Sequence, residues 1–457
     1  MNIVLVWAGW TGMSGIAWLL YDLRYRNIVC IDGVQSQLTD NLQKKWLEVI
    51  IGHWKYQANP GDVIIYSEAA ANSPEITQAR QAGRDSQKMM LIMNYFQFLW
   101  EISKYFRTIG ITWTNWKSST TALALFWAKK TEKFWLGILG ALVPDFNGQS
   151  YTINPNQQDK IKTIFDRILT WKWTVPQEYI KELFFIVEAC EYKRHFLYLD
   201  LEYTAITSLE FDHADYYKDF DDYKSAYLQM LNKLKQKAFV LWWFLKAFPE
   251  FSTYADKIQE IQEKEFHFDR IFWPHVNKNA TLADVIFQII SPDKKVDISD
   301  FKWLRRRLEI IGKNNNWAQI ISDYGHMASS IKIGQEALRK KFPNKKLAVI
   351  FQPHQINRIF TGRNDFLQAF KWYDETFIYN IYAARENIQD FDFSSKNSKI
   401  HNLLDLGNIF AQECWWTYIT DEENLYSQIN KYNQDRIVTI FTAWDLDYQM
   451  RKRYPKS

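Results

Sequence analysis

The chain has 457 residues, of which 47% are hydrophobic and 24% are charged, and its formal net charge is +4. This composition is typical of a folded, water-soluble protein of two to four domains and excludes a disordered chain. A charge this small, spread along the sequence, suits a small anionic ligand and does not predict nucleic-acid binding.

The cysteines and the apolar segments bear on the compartment. Cys30, Cys190 and Cys414 are odd in number and widely spaced, which fits a reducing environment. The apolar start lacks a basic region before it, and the longest apolar run, at 238–248, is too short to span a bilayer. We therefore expect a cytoplasmic protein without a signal peptide or membrane insertion.

Strand and helix signals alternate through residues 1–105. Strands are predicted at 2–6, 27–32, 47–52 and 62–67, and helices at 12–23 and 73–83, the second with Pro74 in its first turn. Such alternation predicts a parallel, doubly wound sheet, and this segment is expected to be a Rossmann-like domain.

Two further α/β segments follow. In residues 106–298, strands are predicted at 108–112, 183–189 and 203–211, with a helix at 120–130. In residues 299–457, strands are predicted at 347–353, 375–382 and 436–444, with a helix at 337–342. The sequence thus predicts an α/β protein of three consecutive domains: Rossmann-like, a central P-loop ATPase domain, and a second Rossmann-like domain.

The central segment opens on ITWTNWKSSTT (111–121), which follows a strand and precedes a helix. A phosphate-binding loop of the type G-T-x-G-K-[ST] uses backbone N–H groups to hold a phosphate, while its lysine and hydroxyl serve the β/γ-phosphates and Mg²⁺. Lys117 and Ser118 match the last two positions. Trp113 and Trp116 stand where the loop needs glycine.

The turn after the first strand shows the same anomaly, because WAGWTGMSG (7–15) has Gly9 and Gly12 but Trp7 in place of the first glycine. The chain has 16 glycines and 21 tryptophans, so glycine is at about half its usual share. We hypothesise that most tryptophans are native glycines, encoded by UGA codons that some bacteria translate as Gly and others as Trp. The alternative is a genuinely tryptophan-rich surface, for example one that stacks on carbohydrate.

Acidic and imidazole groups follow two later strands of the central segment. Glu188 ends an apolar run in VEACEYKR (187–194), and Asp212 and His213 follow another in SLEFDHADYY (208–217). A carboxylate and a neutral imidazole that converge beside a phosphate loop would complete a Mg²⁺ shell.

Together these motifs resemble the Mur ligases of peptidoglycan synthesis, most closely the branch that adds alanine. The similarity covers essentially the whole chain, and reading Trp as Gly adds family-like strings at 7–12, 113–118, 273, 303 and 444. The strings that carry it are GMSGIA (12–17), the Lys117 loop, VEACEYKR, LEFDH (209–213), DYGH (323–326), FQPHQ (351–355) and IYAARE (381–386).

The resemblance implies a ligase that uses ATP and Mg²⁺ to join L-alanine to UDP-N-acetylmuramate through an acyl phosphate. It implies catalytic roles for Lys117, Glu188, His213 and His326, and metal binding by Ser118, Glu188 and His213. The UDP-sugar would lie at Gly9, Gly12, Met13, Ser14 and Asp32, and alanine at His354 and Arg358. ATP would lie at Trp113, Thr114, Asn115, Trp116, Lys117, Ser118, Ser119, His275, Asn279, Arg307 and Asp323.

The chain departs from the family pattern in two of these strings. Val276 stands where FWPHVNKNA (272–280) would have Asn, and Met327 and Ala328 follow DYGH where the family often has His and Pro. These departures affect the expected adenine contact and the surroundings of His326.

The sequence leaves three alternative functions open. The first is another ligase of the same family, with a different amino acid or a peptide as acceptor. The second is a non-catalytic sugar-nucleotide-binding protein, which leads if Trp113 and Trp116 are real. The third is an oxidoreductase that binds NAD at the first turn, with Asp32 on the ribose.

Overall fold

The computed structural model describes most of the chain. The described residues are 1–85, 90–112, 116–131, 135–170, 174–207, 209–268, 275–292, 294–383, 386–391, 393, 400–412, 415–443 and 445–455. They form three mainly parallel sheets with helices between the strands, so the α/β fold class is confirmed.

The first sheet has five parallel strands in the order β3-β2-β1-β4-β5. Its strands are β1 (Ile3–Val6), β2 (Ile28–Asp32), β3 (Glu48–Ile51), β4 (Val63–Tyr66) and β5 (Leu91–Asn94), and its helices are α1 (Thr11–Asp22), α2 (Gln37–Lys44), α3 (Pro74–Asp85) and α4 (Tyr95–Ser103). The strand order reverses at β1, and ligands of such sheets bind at the carboxyl ends of the strands beside this reversal.

The second sheet has seven strands in the order β12-β11-β10-β6-β9-β7-β8, with only the β7–β8 pair antiparallel. Its strands are β6 (Arg107–Thr112), β7 (Trp135–Val143), β8 (Gln149–Ile153), β9 (Phe184–Glu188), β10 (Leu201–Ile206), β11 (Ala238–Leu241) and β12 (Ile258–Ile261). Its helices are α5 (Lys117–Lys129), α6 (Gln158–Thr170), α7 (Phe220–Lys233), α8 (Phe244–Ala247) and α9 (Val276–Ile290). The central strand β6 therefore leads directly into the Lys117 loop.

The third sheet has six strands in the order β13-β14-β18-β15-β16-β17, and its β13–β14 pair is antiparallel. Its strands are β13 (Glu309–Lys313), β14 (Gln319–Asp323), β15 (Lys346–Gln352), β16 (Glu375–Tyr379), β17 (Thr417–Ile419) and β18 (Arg436–Thr442). Its helices are α10 (Ala328–Lys341), α11 (Ile356–Phe370), α12 (Leu403–Gln412), α13 (Glu422–Asn430) and α14 (Leu446–Arg453).

The chain divides into two compact units. One comprises residues 1–270 and 277–304 and holds the first two sheets, and the other comprises residues 271–276 and 305–457 and holds the third. Within the first unit, α1 packs on β7 and β8, and Ser150 donates a hydrogen bond to the carbonyl oxygen of Thr11. The domain limits at 105/106 and 298/299 remain predictions. In the described part of the chain, every helix is too short or too polar to cross a membrane.

One predicted strand was too long. The strand expected over 203–211 ends at Ile206, since its last paired residue is Ile206 opposite Thr112, where β6 also ends. Thr207 N–H still reaches the Thr112 carbonyl oxygen at 3.4 Å, but β6 ends at Thr112, and Asp212 and His213 lie in a loop.

Tryptophan recurs where the backbone needs glycine. Among the described residues, sixteen non-glycine residues have left-handed φ, and seven of them are tryptophan. Phe and Tyr are more numerous in the sequence, yet none of the described ones has this conformation. Aromatic character is therefore not the cause. We call Trp7, Trp46, Trp54, Trp116, Trp303, Trp317 and Trp415 the left-handed tryptophans.

Local hydrogen bonds show what three of these positions require. Trp46 follows α2 and Trp415 follows α12, each in the paired bonding pattern of a Schellman helix end, as in Trp46 N–H to Gln43 O and Leu47 N–H to Leu42 O. Glycine is the usual residue there. Trp317 ends the turn that joins β13 to β14, where hairpins of this length place a left-handed glycine.

Candidate active site

The Lys117 loop lies at the centre of the second sheet, between β6 and α5. Trp116 is the residue that precedes α5, with φ of 68°, and only 6% of it is exposed. Lys117, Ser118 and Ser119 form the first turn of α5, as the sequence predicts for a phosphate site at a helix N-terminus. The expected ATP contacts Trp113, Thr114 and Asn115 lie outside the described residues.

Glu188 ends β9 beside this loop because Ile111 of β6 pairs with Glu188 in parallel register. Its carboxylate accepts a hydrogen bond from Ser118 Oγ at 2.8 Å and another from the Gly140 N–H at 2.7 Å. The structure thus brings the predicted pair Ser118 and Glu188 together.

These oxygens suit a magnesium ion. Mg²⁺ prefers hydroxyl and carboxylate oxygens and retains several waters, and Ser118 and Glu188 offer one oxygen of each kind next to Lys117. His213, the third predicted ligand, contacts another carboxylate. Within the described ranges, there is also no group of three or more His, Cys, Asp or Glu side chains that could hold a metal ion.

A buried carboxylate missed at the sequence level organises the neighbouring cations. Glu191 is fully buried, and Lys117 Nζ lies 2.8 and 3.0 Å from its two oxygens. His213 Nε2 lies 3.4 Å from Glu191 Oε1 and 3.8 Å from Asp212 Oδ2. Glu191 lies in the string VEACEYKR, but nothing in that string distinguished its role from that of Glu188.

The electrostatics of this cluster favour the charged forms. Burial alone would raise the pKa of Glu191, but attraction to Lys117 and the hydrogen bond with His213 lower it overall. Burial opposes charge on His213 too, yet Asp212 and Glu191 raise its pKa. Glu191 and Lys117 thus form a buried charged pair with His213 beside them, and metal binding by His213 stays a prediction.

Asn279 carries a second feature of a binding site. It lies on α9, is fully buried, and neither its amide nitrogen nor its amide oxygen has a hydrogen-bond partner among the described residues. Unpaired buried polar atoms are rare and costly, so a bound ligand is a natural partner. The other predicted adenine contact, His275, belongs to the second compact unit.

The predicted sugar-nucleotide residues meet at the first turn. Gly9 N–H donates to Asp32 Oδ2 at 2.8 Å, and a Cβ on Gly9 would lie only 2.8 Å from the same oxygen, so this position has no room for a side chain. Gly12, Met13 and Ser14 are buried in the first turn of α1. Trp7 has φ of 65°, but its side chain is 38% exposed.

In the second unit, Asp323 binds the backbone of two chain segments. It ends β14, is fully buried, and accepts hydrogen bonds from the N–H groups of Leu308 and Gly325. Burial raises its pKa despite the nearby Arg307, whose guanidinium lies over the Tyr324 ring at 5.5 Å. Asp323 thereby holds the strained segment at Leu308, where φ is 45°.

The predicted alanine-binding residues also converge. Arg358 on α11 lies 3.0 Å from His354 Nδ1, and the His354 ring lies 5.6 Å from His326 and 5.5 Å from Tyr382. The arginine can only donate, so His354 Nδ1 accepts and its other nitrogen carries the proton. Tyr382, from the string IYAARE, was not predicted as a site residue.

Several known proteins are similar to this chain over most of its length. A curated relative from Clostridium botulinum, named UDP-N-acetylmuramate–L-alanine ligase, is 28% identical over 96% of this chain and 94% of its own length. The UDP-N-acetylmuramate-alanine ligase of Thermotoga maritima has a similar structure, with TM-score 0.72, 17% identity and coverage of 99% and 98% of the two chains.

A MurF ligase from Thermotoga maritima, solved in complex with ADP, also has this fold. Its TM-score is 0.52 at 11% identity, over 93% of this chain and 94% of that one. No protein-family model matches the chain.

Proposed function

Since the chain belongs to the Mur ligases, we propose that it joins L-alanine to UDP-N-acetylmuramate at the expense of ATP, in peptidoglycan precursor synthesis. The observation that carries this proposal is the cluster of Lys117, Ser118 and Glu188 at the carboxyl ends of β6 and β9. We assign the reaction to the cytoplasm, which fits the free thiols Cys30 and Cys190.

The ATP would bind at the N-terminus of α5. Lys117 would neutralise the β/γ-phosphates, and Ser118 and Glu188 would hold Mg²⁺, which lowers the charge repulsion among the phosphate oxygens. The unpaired amide of Asn279 suits an adenine edge, which offers both a donor and an acceptor. We assign His275, Arg307 and Asp323 to the nucleotide through the resemblance.

The UDP-sugar would bind where Gly9 leaves the backbone open at the start of α1. Phosphate groups suit a helix N-terminus because its N–H groups point outward. Gly12, Met13 and Ser14 belong to that first turn. The Asp32 carboxylate accepts a hydrogen bond from the Gly9 N–H and so holds the backbone just before the helix in place.

The alanine would bind beside α11. Arg358 can grip its carboxylate with a planar fork, and His354, held by Arg358, presents its protonated nitrogen. His326 lies next to His354 and would help to shape the reaction centre.

The reaction depends more on the positioning of the substrates than on covalent catalysis by side chains. The γ-phosphoryl group passes to the lactyl carboxylate of the sugar, which gives an acyl phosphate and ADP. The alanine amine then attacks the acyl carbon, and phosphate leaves from the tetrahedral intermediate. Lys117 stabilises the charge on the transferred group, and water must be excluded because an acyl phosphate hydrolyses readily.

This function requires glycine in the phosphate loop, so we propose that the left-handed tryptophans are glycines in the native protein. Support comes from φ at Trp7 and Trp116, and from the helix ends at Trp46 and Trp415. Trp303 adds a buried indole Nε1 for which the described residues provide no acceptor. Each left-handed side chain costs about 1–2 kcal/mol, and several together approach a typical folding stability.

The second candidate is a non-catalytic protein that binds the sugar nucleotide. The buried indole of Trp116 favours it, because a real tryptophan there would obstruct the phosphate site at α5. In that case the printed chain would retain the first binding site and lack the second.

The test is phosphate release from ATP with UDP-N-acetylmuramate and a panel of amino acids, using protein from its native source. We expect release that depends on both the sugar nucleotide and alanine. Release with another amino acid or a peptide would indicate a different ligase of the family. Binding of the sugar nucleotide without binding of ATP would favour the second candidate.

A further inference from the structure

Glu191 is a fully buried carboxylate next to Lys117 for which the proposed reaction supplies no role. Its side chain is fully buried, whereas the Lys117 side chain is 13% exposed and that of His213 is 23% exposed. The carboxylate is therefore more deeply buried than the Lys117 and His213 side chains that contact it. A buried carboxylate without such partners would be strongly destabilising.

The surroundings fix Glu191 from both sides. Its carboxylate contacts Lys117 and His213, while its carbonyl oxygen accepts a hydrogen bond from the hydroxyl of the buried Tyr217. The Tyr192 ring lies 4.6 Å from the His213 ring, centroid to centroid. The carboxylate is thus held by contacts on its side chain and on its backbone, while the Lys117 side chain is partly exposed.

We propose that Glu191 is a positioning residue of the nucleotide site, which holds the Lys117 ammonium and the His213 imidazole at the N-terminus of α5. In the structure, Lys117 pairs with Glu191. When ATP binds, the ammonium turns toward the phosphates while Glu191 limits how far it moves and keeps His213 beside it. This inference rests on the proposed function.

The change in ATP affinity on loss of the Glu191 charge distinguishes a positioning role from simple stabilisation of the fold. Glu191 carries a negative charge close to the phosphates, so it weakens ATP binding while it orients Lys117. Loss of that charge should leave ATP affinity unchanged or higher and lower the rate of phosphoryl transfer, since small errors of placement cost about 100-fold in rate. Loss of a residue that only stabilises the fold would lower the free energy of unfolding and the affinity for every ligand together.

The parent is the chain with glycine at 113 and 116, and the first variant is Glu191→Gln, which keeps the shape and removes the charge. We expect kcat for alanine-dependent phosphate release to fall about 10- to 100-fold, with KM for ATP unchanged or lower. An unchanged kcat, or a raised KM with normal kcat, would overturn the proposal.

Two further variants control for folding. Glu191→Asp keeps the charge on a shorter side chain and should have a kcat between those of the parent and Glu191→Gln. Glu202→Gln breaks the ion pair with Arg107, 2.7 Å apart at the opposite end of β6, and should leave kcat unchanged. A kcat of Glu191→Asp below that of Glu191→Gln, or an equal loss in Glu202→Gln, would contradict a positioning role.

Binding of ADP with Mg²⁺, measured by calorimetry, separates this inference from the proposed function. If the parent protein binds ADP but releases no phosphate with any amino acid, only the proposed function fails. Glu191→Gln should still bind ADP at least as tightly as the parent. Weaker ADP binding by this variant would overturn the role of Glu191, and absence of ADP binding by the parent would overturn both.

Discussion

The two turns that begin α1 and α5 make the same demand on the backbone and meet it differently. The first turn keeps Gly9 and Gly12 and has one left-handed tryptophan, Trp7, whose side chain reaches solvent. The Lys117 loop ends in Trp116, which has nearly the same φ but is buried.

This difference separates two effects of a large residue at a glycine position. At Trp7 the effect is mainly backbone strain, because the indole has room outside. At Trp116 the indole also occupies space at a helix N-terminus, where a phosphate would bind. The first turn should therefore tolerate tryptophan as a binding site, and the Lys117 loop should not.

The largest expected effect comes from Lys117, in a chain with glycine at 113 and 116. Lys117→Ala should lower kcat for alanine-dependent phosphate release about 100- to 1,000-fold, because one charge-stabilising donor is lost. Binding of UDP-N-acetylmuramate, measured by calorimetry, should not change. Loss of both properties would mean that the two turns do not act as separate sites.

The next effect concerns the phosphate loop itself. In the printed chain, Trp113→Gly with Trp116→Gly should raise ATP affinity about 10- to 100-fold, since displacing a buried apolar side chain costs about 1.5–3 kcal/mol. Fluorescence titration with an ATP analogue measures this. Trp7→Gly serves as the matched control and should leave ATP affinity unchanged. Equal ATP affinity before and after the double change would contradict the account.

At the first turn, the expected gain is in stability. Trp7→Gly should raise the free energy of unfolding by about 1–2 kcal/mol, because glycine adopts φ of 65° without strain. Urea denaturation measures the change. Sugar-nucleotide affinity should rise slightly or stay constant. A loss of stability would show that the indole of Trp7 belongs in the native fold.

The smallest effects are expected at the helix ends, far from either ligand. Trp46→Gly and Trp415→Gly should each raise stability by about 1 kcal/mol, because these side chains are 94% and 97% exposed and make few contacts that could be lost. Trp372→Gly is the control, since Trp372 is also exposed but lacks left-handed φ. A similar gain in stability from Trp372→Gly would show that left-handed φ is not the cause of the gain.

The sequence predicted the fold because apolar strands such as Ile3–Val6 and Arg107–Thr112 alternate with amphipathic helices. It predicted Lys117, Ser118 and Glu188 because a phosphate loop and a strand end have recognisable patterns. The hypothesis that most tryptophans are glycines could not single out positions 46, 317 and 415, because the usual signal for a helix end or hairpin turn is glycine itself.

The contacts of His213 were not predictable either. They depend on where the chain leaves the sheet after Ile206, and the expected strand extended beyond that point. Glu191 lay in a recognised string, but its burial and its pairing with Lys117 arise only from the packing of β9 against β6.

The central claim is that the loop before Lys117 contains glycine in the native protein. The mass of the native tryptic peptide Thr108–Lys117 tests it most directly, since the peptide spans positions 113 and 116. We predict the mass that corresponds to glycine at both positions. The mass that corresponds to tryptophan at both would contradict the account and leave a protein whose phosphate site is obstructed.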